Sequence, residues 1–253
     1  MDIENLPFVE ILGCPVHSLT MQQTLTIIDK AIQHRRKIQH VVVNAAKLVN
    51  MKDNVELRES IVNCDIINAD GQSVVWAAKF LGMYLPQRVT GIDLMNNLVD
   101  LAFSRKYKIF FLGAKEEIVK KVTEVYRNKY NSEIIAGFRN GYFGQEEAEE
   151  IANKISASCA DILFVGITSP KKEVFLNNNK DIINTSFIMG VGGSFDVVAG
   201  FVNRAPVWMQ KFGLEWLYRV YQEPKRMWKR YLVTNTIFIV RVLREKIKRF
   251  TAD

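Results

Sequence analysis

Five short apolar runs, each closed by a polar residue or a glycine, set the limits on what this 253-residue chain can fold into. They read HVVV before Asn44, DIIN before Ala69 and Asp70, KIFFL before Gly113, DILFV before Gly166 and TSFIM before Gly190, and a weaker sixth, SEIIAGF, lies among them. None alternates apolar with polar side chains, so neither face of such a strand is meant for water. That is the pattern of a parallel sheet covered by helices on both sides. Between the runs, apolar residues return at helical spacing. Residues 19–35 place Leu19, Leu25, Ile28 and Ile32 on one side with Thr20 as a cap, 73–82 end at Gly82, and 91–106 carry Asp93 in their opening turn. The expected fold is α/β, a Rossmann-like, doubly wound and mainly parallel sheet of about six strands.

The strand–helix alternation stops near residue 200, which divides the chain into an expected catalytic domain, 1–200, and a basic, aromatic helical appendage, 201–253. From residue 219 to 249 there are ten Lys and Arg against two acids, a net of +8, so the whole formal charge of +7 is carried there and the remainder stands at −1. From Tyr231 onward bases interleave with Ile, Val, Leu and Phe. This suits a cationic helix lying in the plane of an anionic membrane surface, with Trp208, Trp216 and Trp228 as interface anchors, better than it suits nucleic acid. A solvated helix packed on the domain is the competing reading. The longest late apolar run, Ile237–Val240, falls well short of the ~20 residues of a spanning helix, and the first residues lack the charge and apolar core of a signal peptide.

Three cysteines without CxxC spacing indicate neither a disulfide framework nor a zinc site, and they suggest a reducing cytoplasm. His17, His34 and His40 lack ligand spacing, and His40, placed just ahead of a strand, reads as structural. GxSxG, HExxH, Walker and GxGxxG motifs are absent. What remains is polar residues at strand ends, where ligands bind in open parallel sheets. Asn44 either forms a turn or touches substrate. Asp70, beside Gly71, is either a turn residue or a base aimed into the crevice. Gly113 offers a seat for a base or ribose, although Glu116 and Glu117 in the next helical turn disfavour a phosphate there. Lys171 and Lys172, after Pro170 in the first turn of a helix, are either solvated or face a diphosphate. The glycine turn Gly190–Gly193, with Gly192 and Gly193 at its tip, lets backbone approach a ligand.

One candidate base and an arginine cluster, Arg204, Arg219, Arg226 and Arg230, suit transfer from a nucleotide-activated donor, the carboxylate taking a hydroxyl proton and the cations stabilising a departing diphosphate. On a continuous helix Arg219, Arg226 and Arg230 share a face, unless Pro224 breaks it. A non-catalytic nucleotide- or nucleic-acid-binding module is the alternative.

The stretches ADGQSVVWAA, RVTGID, FFLGAKEE, NGYF, SPKKE, GVGGSFDVVAG and NRAPVWMQKFGLEWLYRVYQEPKRMWKRY, in this order over nearly the whole chain, resemble the WecG/TagA/CpsF glycosyltransferases of bacterial surface-polysaccharide synthesis. The resemblance implies an inverting, metal-independent, cofactor-free UDP-sugar-dependent hexosyltransferase, peripheral on the cytoplasmic face of the membrane. Its acceptor is a polyprenyl-diphosphate-linked (undecaprenyl-type) sugar. The best-known members add N-acetylmannosamine or its uronic acid to lipid-linked N-acetylglucosamine, and relatives that transfer glucose supply an alternative. It also implies Asp70 as the base, Arg219, Arg226 and Arg230 at the diphosphate, and Thr90, Gly91 and Asp93 of RVTGID in substrate binding. Where many members have PKQE this chain has Pro170-Lys171-Lys172-Glu173, and where some have Thr-Pro-Asn it has Val42-Val43-Asn44. Lys172 thereby becomes a cation expected to meet an acidic sugar or a phosphate. A homo-oligomer is compatible with all of this.

Overall fold

A computed structural model describes residues 3–169 and 171–251, with the backbone alone described for Arg226 and Arg230. Pro170, expected in a helical first turn, lies outside the described residues. The chain opens with an antiparallel hairpin, β1 (Phe8–Ile11) and β2 (Cys14–His17). Then follow α1 (Met21–Gln33), β3 (Ile38–Val43), α2 (Ala45–Asp53), α3 (Val55–Val62), β4 (Ile66–Ala69), α4 (Gln72–Phe80), α5 (Gly91–Arg105), β5 (Ile109–Gly113) and α6 (Glu116–Lys129). The second half runs β6 (Ile135–Arg139), α7 (Ala148–Ala157), β7 (Ile162–Gly166), α8 (Lys171–Asn178), β8 (Phe187–Gly190) and α9 (Ser194–Val198). It ends in α10 (Val207–Lys211), α11 (Glu215–Gln222) and α12 (Pro224–Phe250).

Strands β3 to β8 form one six-stranded parallel sheet in the order β4-β3-β8-β7-β5-β6. Strands β4, β5 and β8 are buried along their whole length, as unalternating apolar runs require. One face is covered by α1, α5, α6 and α9, whose Ile28, Leu98, Val122 and Phe195 pack on Phe111, Phe164 and Phe187. The other face is covered by α2, α3 and α4 over β3 and β4, and by α7 and α8 over β5 and β7. The neighbours β3 and β8 thus send their following helices to opposite faces, and the sheet is left open between their carboxyl ends.

The first helix starts as its sequence predicts. Thr20 accepts from the Gln23 N–H while the Gln23 side chain accepts from the Thr20 N–H, a reciprocal capping box. Strand β3 instead begins at Ile38, so His40 lies inside it and not ahead of it. Two polar residues hide that start. The Gln39 N–H donates to Asp65 at 2.7 Å, and His40 is buried with its Nε2 2.9 Å from Asn68 Oδ1 in the adjacent strand. Burial pushes the His40 pKa down to about 4, so the imidazole is neutral and bonded within the sheet, although the strand position from which a structural role was expected was different.

The last helix is a single rod of 27 residues, about 40 Å long. Pro224 stands at its first turn, where a proline fits, and the preceding helix ends at Gln222. Phe238 and Val242 are buried in the same cluster as Leu48 of α2 and Val43 and Ile67 of the sheet. Arg241 donates to the Val49 carbonyl at 2.7 Å, and Glu245 accepts from the Leu12 N–H at 2.9 Å. Among the described residues no helix is long and apolar enough to cross a membrane.

Candidate active site at the carboxyl ends of β3, β4 and β8

Asp70 is the first residue after β4. Its N–H donates to the Val43 carbonyl at 2.9 Å, which ties the ends of β4 and β3 together. Its half-buried carboxylate accepts the Gly91 N–H on Oδ1 at 2.9 Å, at the amino end of the 15-residue α5. Burial raises the pKa above the ordinary aspartate value. The Gly91 N–H, the Arg219 guanidinium and Lys47 pull against that rise, and Glu215 adds to it. A half-buried carboxyl with a raised pKa, fixed through one oxygen at a strand end, has the attributes of a general base.

Thr90 caps α5, and its hydroxyl donates to Asp93 Oδ2 at 2.6 Å while accepting the Asp93 N–H at 3.3 Å. Asp93 in turn takes both terminal nitrogens of Arg204, at 2.6 and 2.7 Å. Burial works against the Asp93 charge, but the Arg204 and Thr90 hydrogen bonds outweigh it and hold the carboxyl below its usual value. Asp93 and Arg204, both expected to bind substrate, therefore have their charges met by each other. Asn44 caps α2, its Oδ1 accepting the Lys47 N–H at 3.0 Å, so of its two readings the turn role is occupied.

Arg219 projects from α11 with its side chain exposed and its charge felt at Asp70. Arg226 and Arg230 belong to α12, and their side chains lie outside those described. Because the helix is interrupted at Glu223 and restarts at Pro224, the three arginines sit on two helices, and the shared face of one continuous helix does not apply.

Lys172 is buried, with 6% exposure, and its stem runs over Gly190 so closely that a Cβ there would stand 2.6 Å from Lys172 Cε. Its ammonium is 3.0 Å from Glu173 Oε1, and Lys47 Nζ is 3.9 Å from the same oxygen. Burial opposes ionisation of Glu173, but the two lysines together hold its pKa below the usual range. Burial, reinforced by the Lys172 charge, brings Lys47 down to about 8. Lys172 thus answers a carboxylate of its own chain, beneath the glycine turn that was expected to meet the ligand.

Gly192 and Gly193 are exposed at that turn, and Gly192 adopts φ +53° with open space around it. Gly113 has another character. At φ +134° its backbone lies against Gly166, where a Cβ would approach to 2.4 Å, so it closes the β5–β7 seam. A cleft of about 630 Å³ lies along β6, at the opposite edge of the sheet from β4, and is lined by Arg127, Arg139 and Lys154. Among the described residues no three His, Cys, Asp or Glu side chains gather as a metal-ligand set.

Four charged residues of this region carry no role in the sequence reading: Lys47, and Arg88, Glu173 and Glu215, which lie inside the stretches that carry the family resemblance. Two left a signal. Lys47 is a cation in the first turn of a helix, where the helix dipole disfavours it, and Glu215 stands four residues before Arg219 on one helical face. The family model described as the glycosyl transferase WecG/TagA/CpsF family matches residues 9–252 of the chain.

Proposed function

The chain belongs to the WecG/TagA/CpsF family of glycosyltransferases, and on that premise we propose that it transfers a hexose-type sugar from a UDP-sugar to a polyprenyl-diphosphate-linked sugar, with inversion at the anomeric carbon. The donor is UDP-N-acetylmannosamine or the corresponding uronic acid. The acceptor hydroxyl oxygen forms the new bond to the anomeric carbon, its proton passes to the Asp70 carboxylate, and the bond from that carbon to the diphosphate oxygen breaks with UDP taking the electron pair. Arg219, together with Arg226 and Arg230 of α12, neutralises the charge that grows on the departing diphosphate. The turn at Gly192 and Gly193 and the amino end of α5 at Thr90 and Gly91 border the donor. The net positive tail brings the protein to an anionic membrane surface, where a lipid-linked acceptor resides.

The single observation supporting this reading most strongly is the Asp70 carboxyl, raised in pKa by burial, anchored by the Gly91 N–H and within reach of the charge of Arg219. Asp70→Asn keeps the shape and removes the base. The expected result is a fall in transfer of about 10³-fold, read by mass spectrometry of a short polyprenyl-diphosphate N-acetylglucosamine acceptor, with UDP still bound. Unimpaired turnover would remove Asp70 from the reaction. Offering the same acceptor with a panel of UDP-sugars names the donor by the added mass.

A further inference from the structure

We infer that Arg88, Asp93, Arg204 and Glu215 form an ion-pair latch that holds α11 over the crevice and so keeps the charge of Arg219 within reach of Asp70. All four are positioning residues. Arg204 joins Asp93 across 111 residues of chain through two hydrogen bonds, at 2.6 and 2.7 Å, and its Nε lies 3.6 Å from Glu215 Oε1. Arg88 pairs with Glu215 from the other side and donates to the Gln210 carbonyl at 2.8 Å. The charges therefore alternate, Asp93 to Arg204 to Glu215 to Arg88, and sum to zero.

Two features say why ion pairs are needed here. Among the described residues from Val202 to Glu223 only Ala205 is buried, so this segment has almost no apolar core of its own to fix its position. The anchor is also well chosen. The turn Thr90–Asp93 that receives Arg204 is the turn whose Gly91 N–H holds Asp70, so one short piece of backbone fixes Asp70 and receives the arginine that ties down the helix carrying Arg219. Glu215 and Arg219 lie one helical turn apart, and both charges reach Asp70. Losing either arginine of the latch would leave the Glu215 carboxylate less neutralised beside a carboxylate that must accept a proton.

This inference rests on the reading of Asp70 and Arg219 as reacting groups, and its test keeps the two apart. Transfer is measured for the full chain, for Arg204→Met, for Arg219→Ala and for the double variant. If the latch acts through Arg219, Arg204→Met lowers kcat by about 10²-fold in the parent and less than twofold once Arg219 is gone. Equal losses in both backgrounds overturn the inference while leaving the glycosyltransferase reading intact. Amide hydrogen exchange gives a readout independent of activity: in Arg204→Met and in Arg88→Met, residues 215–222 exchange faster while β3, β4 and β8 do not change. Unchanged exchange at 215–222, with weakened UDP binding in Arg204→Met, would make Arg204 a substrate contact and overturn the latch.

Discussion

At the scale of single residues, Asp70 and Lys47 are linked by charge, and both carry a pH dependence with a defined sign. Burial raises the Asp70 pKa, so the fraction able to accept a proton falls as pH drops through a value above the ordinary 3.8 of aspartate. The acid limb of kcat/KM for transfer is expected there. Lys47 favours the ionised carboxylate, so Lys47→Met should move that limb to higher pH, and a limb that stays in place would remove Lys47 from the site. Lys47 also affects folding. Its pKa is lowered from 10.5 to about 8, so between these values the unfolded chain holds a proton that the folded chain has released. Stability should therefore rise with pH across this window and be lowest, in this respect, below it. The urea midpoint of the parent chain relative to that of Lys47→Met, measured at pH 7.5 and 9, checks the rise; the comparison cancels the thiols of Cys14 and Cys64, which burial pushes up to about 12 and which lower the stability of both proteins above pH 9.

At the scale of elements, α12 has two unlike faces. Phe238, Val242, Glu245 and Arg249 point to the body, where Arg249 donates to the Glu10 carbonyl at 2.8 Å and Phe238 is 4% exposed. Leu232, Ile239, Leu243, Ile247 and Phe250 follow the i, i+3, i+4 stripe on the opposite side and are exposed. Phe238→Ala should destabilise the protein by about 3 kcal/mol, because a buried aromatic leaves a cavity that its neighbours fill only in part. An equilibrium unfolding curve with an unshifted midpoint would show that the helix does not depend on this contact. Deleting the tail after Tyr231 would remove Phe238 and Val242 with the exposed stripe, so a deletion alone confounds folding with binding.

At the scale of the whole molecule, the exposed stripe of α12 follows exposed Trp208, Phe212 and Trp216 in the preceding segment, and residues 219–249 carry ten Lys and Arg against two acids. Exposed apolar side chains interleaved along the chain with cations suit the plane of an anionic bilayer. The pair Ile247→Ser and Phe250→Ser, which leaves the buried face alone, should release the protein from phosphatidylglycerol vesicles in a sedimentation assay without shifting its unfolding midpoint, and undiminished binding would assign the stripe another role. Much of the architecture was legible in the chain alone. Unalternating apolar runs can be satisfied only inside a covered parallel sheet, and the capped 3.6-residue periodicities between them leave little choice but helices. Asp70 at a strand end was legible for the same reason, since its position follows from the strand. The partners of the charges were not legible. Asp93 and Arg204 are 111 residues apart, and Lys172 is followed at once by the Glu173 that neutralises it, yet only the folded chain tells a cation offered to a ligand from one already answered. Spacing along a sequence fixes which face of an element a residue occupies. Which charges meet across elements depends on distances and on the exclusion of water, and the tertiary structure alone sets both.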